Sequence, residues 1–230
     1  MSSGPEPGQP DSVDEPKPGQ PGNMDEPEPG QPGSWEIVER RRAYAGFFAL
    51  DVLQLRHRLF GGGWGPVLRR ELFCTRRAAV LLPYDPVSDR VVLVEQFRTG
   101  AIDMCDQPWM LEACAGLTEA GETAEAVARR ECFEECGLEP RRLALCCEYT
   151  ASPGSSTERV TVFVGEVTAP GQGAVFGVAE EGEDIRTHIL PLDEALAMLA
   201  RGRIIAVTAV TSLLWLQANR DRLRREWLAG

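Results

Sequence analysis

Short apolar and alternating runs along the chain predict strands interleaved with a few helices. Strand-like runs cover residues 78–82, 91–97, 109–115, 143–149, 160–167 and 185–190. Helical periodicity covers residues 123–136, 193–200 and 206–225. Upstream, residues 43–58 and 67–74 alternate loosely on either side of a glycine-rich turn at 61–65 and predict a β-rich segment. Together these elements predict a mixed α/β (α+β) layer fold.

The helix predicted at 123–136 carries its charge unevenly. Thr123 is a suitable N-cap, and Gly137 is a suitable residue just past the C-terminus. At about 100° per residue, Glu131, Glu134 and Glu135 share one face. The opposite face is predicted to pack against a sheet, and its members are Ala126, Ala128, Cys132, Phe133 and Cys136.

The three crowded glutamates repel one another. Like charges at this spacing destabilise a helix by about 0.2–0.5 kcal/mol per pair. A hard divalent cation such as Mg²⁺ typically binds one or two carboxylates and fills its other positions with water and phosphate oxygens. A metal site and an ordinary solvated acidic face are therefore the two alternatives that the residues alone leave open.

Composition separates the first 34 residues from the rest of the chain. They hold nine of the 17 prolines, and seven acidic residues against one lysine, a net charge of −6 out of −11. The motif Pro-x-Pro-Gly-Gln-Pro occurs there three times, at a spacing of 11 residues. Such a repeat lacks apolar side chains that would offset the entropy of ordering, so we predict a disordered tail at 1–34. A ligand for a proline-binding module is the alternative. A β-rich segment at 35–75 and a larger domain at 76–230 are predicted to follow.

Three broad classes of protein are disfavoured by the sequence. The best apolar stretch, 204–218, is shorter than the roughly 20 residues that span a bilayer, and no secretory signal is recognisable. The net negative charge, without a run of Lys or Arg, argues against nucleic acid as a partner. Seven cysteines without a CxxC pair favour reduced thiols over a zinc site or disulfides. We therefore expect a cytoplasmic protein without membrane or nucleic-acid partners.

The segment from 116 to 138 resembles the Nudix box, G-x5-E-x7-R-E-U-x-E-E-x-G-U, in which U is apolar. All seven fixed positions match, at Gly116, Glu122, Arg130, Glu131, Glu134, Glu135 and Gly137, and Leu138 matches the final apolar position. Cys132 stands where larger aliphatic residues are commoner, and a thiol packs there as a small apolar group. The resemblance implies a Nudix hydrolase, whose fold is an α/β/α sandwich with a mixed sheet.

Within that superfamily the chain is most similar to the ADP-ribose pyrophosphatases, from about Phe47 to the C-terminus. Three segments outside the box carry this similarity: residues 94–98, Pro153 at 15 residues beyond Leu138, and the acidic stretch 180–185. The family builds its site across a dimer through an N-terminal β segment, so the resemblance implies a homodimer formed through residues 35–75. The proline-rich tail has no counterpart in the family pattern.

By this resemblance the box, together with two residues outside it, holds a catalytic metal. The expected ligands are the main-chain oxygen of Ala115 and the side chains of Glu131, Glu135 and Glu183. Glu134 is expected to assist. Mg²⁺ is the expected ion, and Mn²⁺ is the alternative.

The resemblance also implies groups that orient the ligands and move a proton. Glu122 and Arg130 are expected to orient the metal-binding carboxylates, since an arginine paired with a carboxylate fixes its direction. Glu181 is the expected general base, with Glu183 as the alternative assignment. Without the resemblance, the acidic stretch 180–184 would be interpreted as a mobile surface loop.

Four further residues are expected to bind the substrate. Arg98 would bind a phosphate and Glu158 would contact the terminal ribose. Phe47 and Arg70 resemble positions that hold adenine, with Arg70 supplied by the partner subunit. For Phe47, an ordinary core position is the alternative.

The function implied by the resemblance is Mg²⁺-dependent hydrolysis of ADP-ribose to AMP and ribose 5-phosphate. The same chemistry on GDP-mannose or another nucleotide sugar is the first alternative. A non-catalytic Nudix module that senses ADP-ribose is an alternative of a different class. Such modules usually lose box carboxylates, and all of them are present here.

Overall fold

The computed structural model describes residues 33–103, 107–179 and 182–229, and in it the predicted mixed α/β fold is confirmed. The first three strands are β1 (Trp35–Ala45), β2 (Ala49–His57) and β3 (Leu68–Cys74). The later strands are β4 (Ala78–Asp85), β5 (Arg90–Phe97), β6 (Trp109–Glu112), β7 (Cys114–Leu117), β8 (Leu143–Tyr149), β9 (Val160–Glu166), β10 (Val175–Phe176) and β11 (Ile185–Pro191). The helices are α1 (Ala124–Cys136), α2 (Leu192–Ala200) and α3 (Val207–Leu228). The tail predicted for residues 1–34 lies outside the described residues, apart from its last two positions.

The N-terminal β-rich segment contains three strands in the order β1-β2-β3. The stretch at 43–58 divides into two strands because the chain bends at 46–48, where the Gly46 amide donates to the Phe48 carbonyl over 2.9 Å. Residues 33–41 and 53–70 belong to one compact unit, and residues 42–52 together with the remainder of the described chain belong to the other. The division of the chain near residue 75 stays a prediction.

Eight strands form a second sheet of mixed direction. Its order is β10-β11-β5-β4-β9-β8, with β6 paired to β5 and β7 paired to β4. The β4–β9 pair is parallel, and the other pairs in this sheet are antiparallel. The single strand predicted at 109–115 breaks at Ala113, because the chain leaves β5 there and crosses to β4.

Alternating side chains give this sheet two apolar faces. On one face Val80, Leu82 and Leu93 pack with Leu213 and Leu216 of α3. On the other face α1 packs on β4 and β7 through a smaller set of side chains, among them Ala79, Leu81, Val127, Ala128 and Cys132. The result is a layered arrangement of helix, sheet and helix. No helix within the described ranges is long and apolar enough to cross a membrane.

Helix α1 begins and ends as predicted, and three of the five residues predicted to face the sheet, Ala128, Cys132 and Cys136, are buried. The Thr123 hydroxyl accepts a hydrogen bond from the Ala126 amide over 3.2 Å, and Gly137 ends the helix with φ of 64°. The prediction that Ala126 and Phe133 face the sheet is wrong, since both are exposed and Phe133 retains 56% of its accessible surface. The buried stripe is instead Val127, Ala128, Glu131, Cys132, Glu135 and Cys136. The sheet therefore covers two of the glutamates.

The turn between β4 and β5 anchors α3 through a single carboxylate. Asp89 accepts a hydrogen bond from the Tyr84 hydroxyl over 2.7 Å, forms a close ion pair with Arg220, and lies 3.2 Å from Nη1 of Arg224. Because Asp89→Ala removes the charged acceptor that Tyr84, Arg220 and Arg224 share, we expect it to lower the free energy of unfolding by about 2–4 kcal/mol. Urea unfolding at pH 7 measures this change.

A control and a pH series sharpen this prediction. Asp193 pairs with the same arginine but its side chain is 76% exposed, so Asp193→Ala should cost less than about 1 kcal/mol. Burial alone would raise the pKa of Asp89, but the hydrogen bonds and charges of Arg220, Tyr84 and Arg224 lower it below its usual value. Its contribution to stability is therefore complete above about pH 4 and is lost as the pH falls through the folded-state pKa. If the difference in the free energy of unfolding between wild type and Asp89→Ala grows as the pH falls, the lowered pKa of Asp89 is contradicted.

Candidate active site

The site forms where α1 approaches β7. Ala115 and Gly116 of β7 pair with Val80 and Ala79 of β4, which holds this strand against the centre of the sheet. A Cβ atom at position 116 would overlap the carboxylate of Glu131. Glycine therefore lets the glutamate lie directly against the strand backbone.

Two buried carboxylates lie one helical turn apart in this contact. Glu135 is almost fully buried, and its Oε2 accepts a hydrogen bond from the Ala115 amide over 3.1 Å. Burial raises the pKa of Glu135 to about 8, repulsion from Glu131 and Glu183 adds to the rise, and the Ala115 hydrogen bond opposes it. Burial likewise raises the pKa of Glu131 to about 7, against the attraction of Arg130. The Glu131 and Glu135 carboxylates repel each other in this buried contact.

Arg130 lies among three carboxylates of the same segment. Its Nη1 is 2.8 Å from Oε1 of Glu131 and 2.8 Å from Oε2 of Glu134, and its Nε is 3.7 Å from Oε1 of Glu122. The other oxygen of Glu122 accepts a hydrogen bond from the Glu119 amide over 2.8 Å. These contacts favour the predicted orienting role of Arg130 and Glu122, because they hold Glu131 in one direction.

Glu183 approaches the same carboxylates from a separate loop. Its Oε2 accepts a hydrogen bond from the Val178 amide over 3.0 Å. Its charge contributes to the raised pKa values of Glu131 and Glu135. Glu183 therefore lies within electrostatic range of both carboxylates. Glu181 lies outside the described residues, so its assignment as the general base stays a prediction.

The donors in this contact suit a hard divalent cation. Mg²⁺ prefers oxygen ligands, commonly takes one or two protein carboxylates, and completes its shell with water and phosphate oxygens. Within residues 33–103, 107–179 and 182–229, no three His, Cys, Asp or Glu side chains form a preorganised metal cage. The buried pair Glu131 and Glu135, beside the backbone of Ala115, nevertheless fits an ion that keeps part of its shell for substrate.

Arg98 brings a cation to the same area. It follows β5, and its Nε donates to Oε2 of Glu112 over 2.6 Å. Its positive charge acts to lower the pKa of Glu135, so it lies on the side of the sheet where α1 packs. The planar guanidinium of an arginine can bind two oxygens of one phosphate at once.

Comparisons with known proteins agree with this geometry. A family model described as the NUDIX domain matches residues 75–209. The chain belongs to the Nudix family. An ADP-ribose pyrophosphatase of Escherichia coli (strain K12) is 45% identical over 192 residues, which cover 84% of this chain and 92% of that protein. A GDP-mannose pyrophosphatase of Citrobacter koseri is 35% identical over 158 residues, covering 67% and 82% of the two chains.

A solved structure shares the Nudix fold. The crystal structure of an ADP compounds hydrolase superposes with a TM-score of 0.62 at 20% identity, covering 87% of this chain and 96% of that one. At this identity the likeness concerns the fold. It is consistent with the α/β/α layering described above for the eight-stranded sheet.

The structure describes the surroundings of three further residues predicted to bind the substrate of this Nudix protein. Phe47 is 79% exposed, with its ring edge-on to Phe48 at a centroid distance of 4.7 Å, so the alternative of a core position is wrong. Arg70 is exposed, and its Nη1 donates to the Arg69 carbonyl over 2.9 Å. Glu158 is partly buried, and its amide donates to the Ser156 hydroxyl over 3.1 Å. Their roles stay predictions.

Glu112 is a residue of this site that the sequence interpretation did not single out. It lies outside the Nudix box, at the end of β6, and is buried against Arg98. The signal was present, since a glutamate interrupted an otherwise apolar strand pattern at 109–115. A charged residue at a buried strand position requires a partner. The partner here is Arg98, the residue predicted to bind a phosphate.

Proposed function

We propose that this chain hydrolyses the diphosphate of ADP-ribose to AMP and ribose 5-phosphate in a Mg²⁺-dependent reaction. The observation that carries the proposal is the buried pair Glu131 and Glu135, held against the backbone of Ala115 within a complete Nudix box. The relative named ADP-ribose pyrophosphatase, 45% identical over 92% of its length, supports the choice of substrate. The lower identity and coverage of the GDP-mannose pyrophosphatase make that substrate the alternative.

In this proposal the ion is held by the side chains of Glu131, Glu135 and Glu183 and by the main-chain oxygen of Ala115. When bound, Mg²⁺ neutralises negative charge on phosphate oxygens and makes a bound water easier to deprotonate. Mn²⁺ is a substitute of similar ligand preference. The chain itself contributes rigidity: α1 is capped at both ends, and the Ala115 amide fixes the Glu135 carboxylate.

The other box residues act on protons and orientation. Arg130 holds Glu131 and Glu134 in place, and Glu122 supports Arg130. Glu181 accepts the proton of the attacking water, and Glu183 is the other candidate for this role. Proton transfer by a positioned carboxylate contributes typically about 10²–10⁴-fold to a rate.

Substrate is bound by residues from several segments. Arg98 binds a phosphate, Glu158 contacts the terminal ribose, and Phe47 and Arg70 enclose the adenine. Arg70 comes from the second subunit of a homodimer. The seven cysteines without a CxxC pair support a reducing cytoplasm as the location.

A substrate panel tests the proposal. Purified protein is incubated with ADP-ribose, GDP-mannose, ADP-glucose and UDP-glucose in Mg²⁺, in Mn²⁺, and after removal of metal by EDTA. We expect AMP and ribose 5-phosphate from ADP-ribose with the highest kcat/KM of the panel, and a loss of at least about 100-fold with EDTA that Mg²⁺ reverses. A higher kcat/KM for GDP-mannose would favour that alternative. Calorimetric binding of ADP-ribose without any monophosphate product would favour a sensing module.

A further inference from the structure

Two arginine–glutamate ion pairs in this protein have nearly the same local geometry. Arg98 Nε lies 2.6 Å from Oε2 of Glu112, and Arg142 Nε lies 2.6 Å from Oε2 of Glu166. In both pairs the glutamate is buried and the arginine side chain is 40% exposed. They differ in what the rest of each guanidinium contacts.

All three nitrogens of the Arg142 guanidinium donate hydrogen bonds within the protein. Its Nη2 donates to the second oxygen of Glu166 over 3.1 Å and also to the Trp227 carbonyl, and its Nη1 donates to the Glu226 carbonyl over 3.3 Å. These carbonyls belong to the last turn of α3, where backbone acceptors lack helical partners. The pair Arg142–Glu166 is therefore a structural clamp on the C-terminal end of this helix.

The guanidinium of Arg98 is used only at Nε among the described residues. Its Nη1 and Nη2 make no hydrogen bond within that part of the chain, although the side chain is partly enclosed. A planar guanidinium held at one nitrogen keeps its other edge available for two parallel hydrogen bonds to an oxyanion.

The strand register places Glu112 on the side of the sheet that carries the glutamate cluster. Glu112 pairs with Val94, and Val94 packs with Cys114 and Cys136 on the α1 side of the sheet. Arg98 directly follows β5, and its Nε is bound to Glu112 on this side. Glu112 thus holds the Arg98 guanidinium on the same side of the sheet as the carboxylates proposed to bind Mg²⁺. In the described part of the chain the guanidinium pairs with Glu112 and forms no ion pair with those carboxylates.

We propose that Glu112 is a positioning residue for substrate binding, which fixes Arg98 through Nε so that Nη1 and Nη2 bind two oxygens of one phosphate. This inference rests on the proposed function, because it takes a nucleoside diphosphate sugar as the ligand. Without Glu112 the arginine is free to rotate, and ordering it again lowers the affinity for phosphate. Removing Glu112 therefore lowers the affinity for substrate, and the groups proposed to act on the attacking water stay in place.

A double-mutant cycle tests the coupling between the two residues. The variants are Arg98→Ala, Glu112→Ala and the double variant, assayed on ADP-ribose with Mg²⁺. We expect KM to rise by about 10–100-fold for Arg98→Ala and by about 10-fold for Glu112→Ala, with kcat within a few-fold of wild type. The double variant should match Arg98→Ala alone, because Glu112 acts only through Arg98. An additive loss in the double variant, or an unchanged KM in Glu112→Ala, overturns the proposal.

Conservative and control variants separate positioning from folding. Glu112→Gln keeps an acceptor for Nε, so its KM should lie between those of wild type and Glu112→Ala, and it serves as the test variant if the alanine variant fails to fold. Glu166→Ala removes the matched structural pair, so it should lower Tm while leaving KM unchanged. If Glu166→Ala raises KM as much as Glu112→Ala does, then losing either ion pair has the same effect on substrate binding. That result would contradict a specific role of Glu112 in positioning Arg98.

The same cycle is measured as the Kd of a non-hydrolysable α,β-methylene analogue of ADP-ribose by calorimetry. Binding of the analogue needs no turnover, so the Kd values can be measured even if the protein is inactive. If the wild-type protein releases no AMP from ADP-ribose, the proposed function is wrong, and the Kd values still decide the role of Glu112. We expect the Kd values to follow the pattern of the KM values. Equal Kd values for wild type and Glu112→Ala would overturn the inference even in an active enzyme.

Discussion

Replacing Glu135 by glutamine is expected to lower kcat on ADP-ribose by on the order of a thousandfold or more while the fold is retained. Glu135 is the most deeply buried carboxylate of the Nudix box, and its oxygen is fixed by the Ala115 amide. Glutamine keeps the shape but removes the negative charge that the proposed ion requires, so charge stabilisation on the diphosphate is lost. Steady-state release of AMP at saturating Mg²⁺ measures the effect.

Thermal unfolding provides an independent readout of the same variant. In the metal-free protein Glu135 is buried and is repelled by Glu131 and Glu183, so Glu135→Gln should melt at the same temperature as wild type or higher. Mg²⁺ with substrate analogue should raise the Tm of wild type and have a smaller effect on the variant. Glu125→Gln is the matched control, since Glu125 lies exposed in the first turn of the same helix and pairs with Arg129. A Glu135→Gln enzyme with near-wild-type kcat would remove this residue from the proposed metal site.

Gly116→Ala is expected to lower kcat/KM by on the order of a hundredfold. A Cβ atom at 116 would occupy the space of the Glu131 carboxylate, and the neighbouring β4 backbone prevents β7 from moving away. The glutamate must therefore rotate out of its position beside Glu135 and Arg130. Misplacing a reacting or ligating group by about 1 Å can cost about 10²-fold in rate.

The control for this prediction is a glycine with open space around it. Gly171 lies in an exposed loop, and a Cβ there meets no atom within 4 Å. Gly171→Ala should leave both kcat/KM and Tm close to wild type. If Gly116→Ala retains full activity, then Glu131 does not need its observed position and its assignment as a ligand is wrong.

Much of the fold could be predicted because the relevant signals are local. The caps of α1 at Thr123 and Gly137 are decided by the chemistry of one or two residues, and both were found where the sequence places them. The break at Ala113 could not be predicted in the same way. It depends on which neighbouring strand each half of 109–115 joins, and pairing between distant strands leaves no local mark.

The buried face of α1 shows why composition misleads at a functional site. Apolar residues usually decide which side of a helix is covered, and on that basis Phe133 should face the sheet. In the structure Phe133 is exposed and Glu131 and Glu135 are covered, an arrangement that costs free energy in the metal-free protein. Local rules fail most often where function requires a strained arrangement.

Some residues of the candidate site could likewise be predicted from the sequence, and others could not. The box residues were predictable because their spacing forms one motif on one helix and the preceding strand. Glu112 was not, because its role depends on contact with Arg98 across two strands. Glu181 and the partner-supplied role of Arg70 depend on segments or subunits beyond those that the structure describes.

The parallel pairing of β4 with β9 has a consequence for how the enzyme is made. Ala78 pairs with Val160, so everything from β5 through α1 to β8 must be synthesised before the second edge of β4 is covered. Closing so large a loop is slow compared with forming hairpins. The nascent chain therefore passes through a stage in which an apolar strand edge is open, and a chaperone that binds extended apolar segments would find its target there.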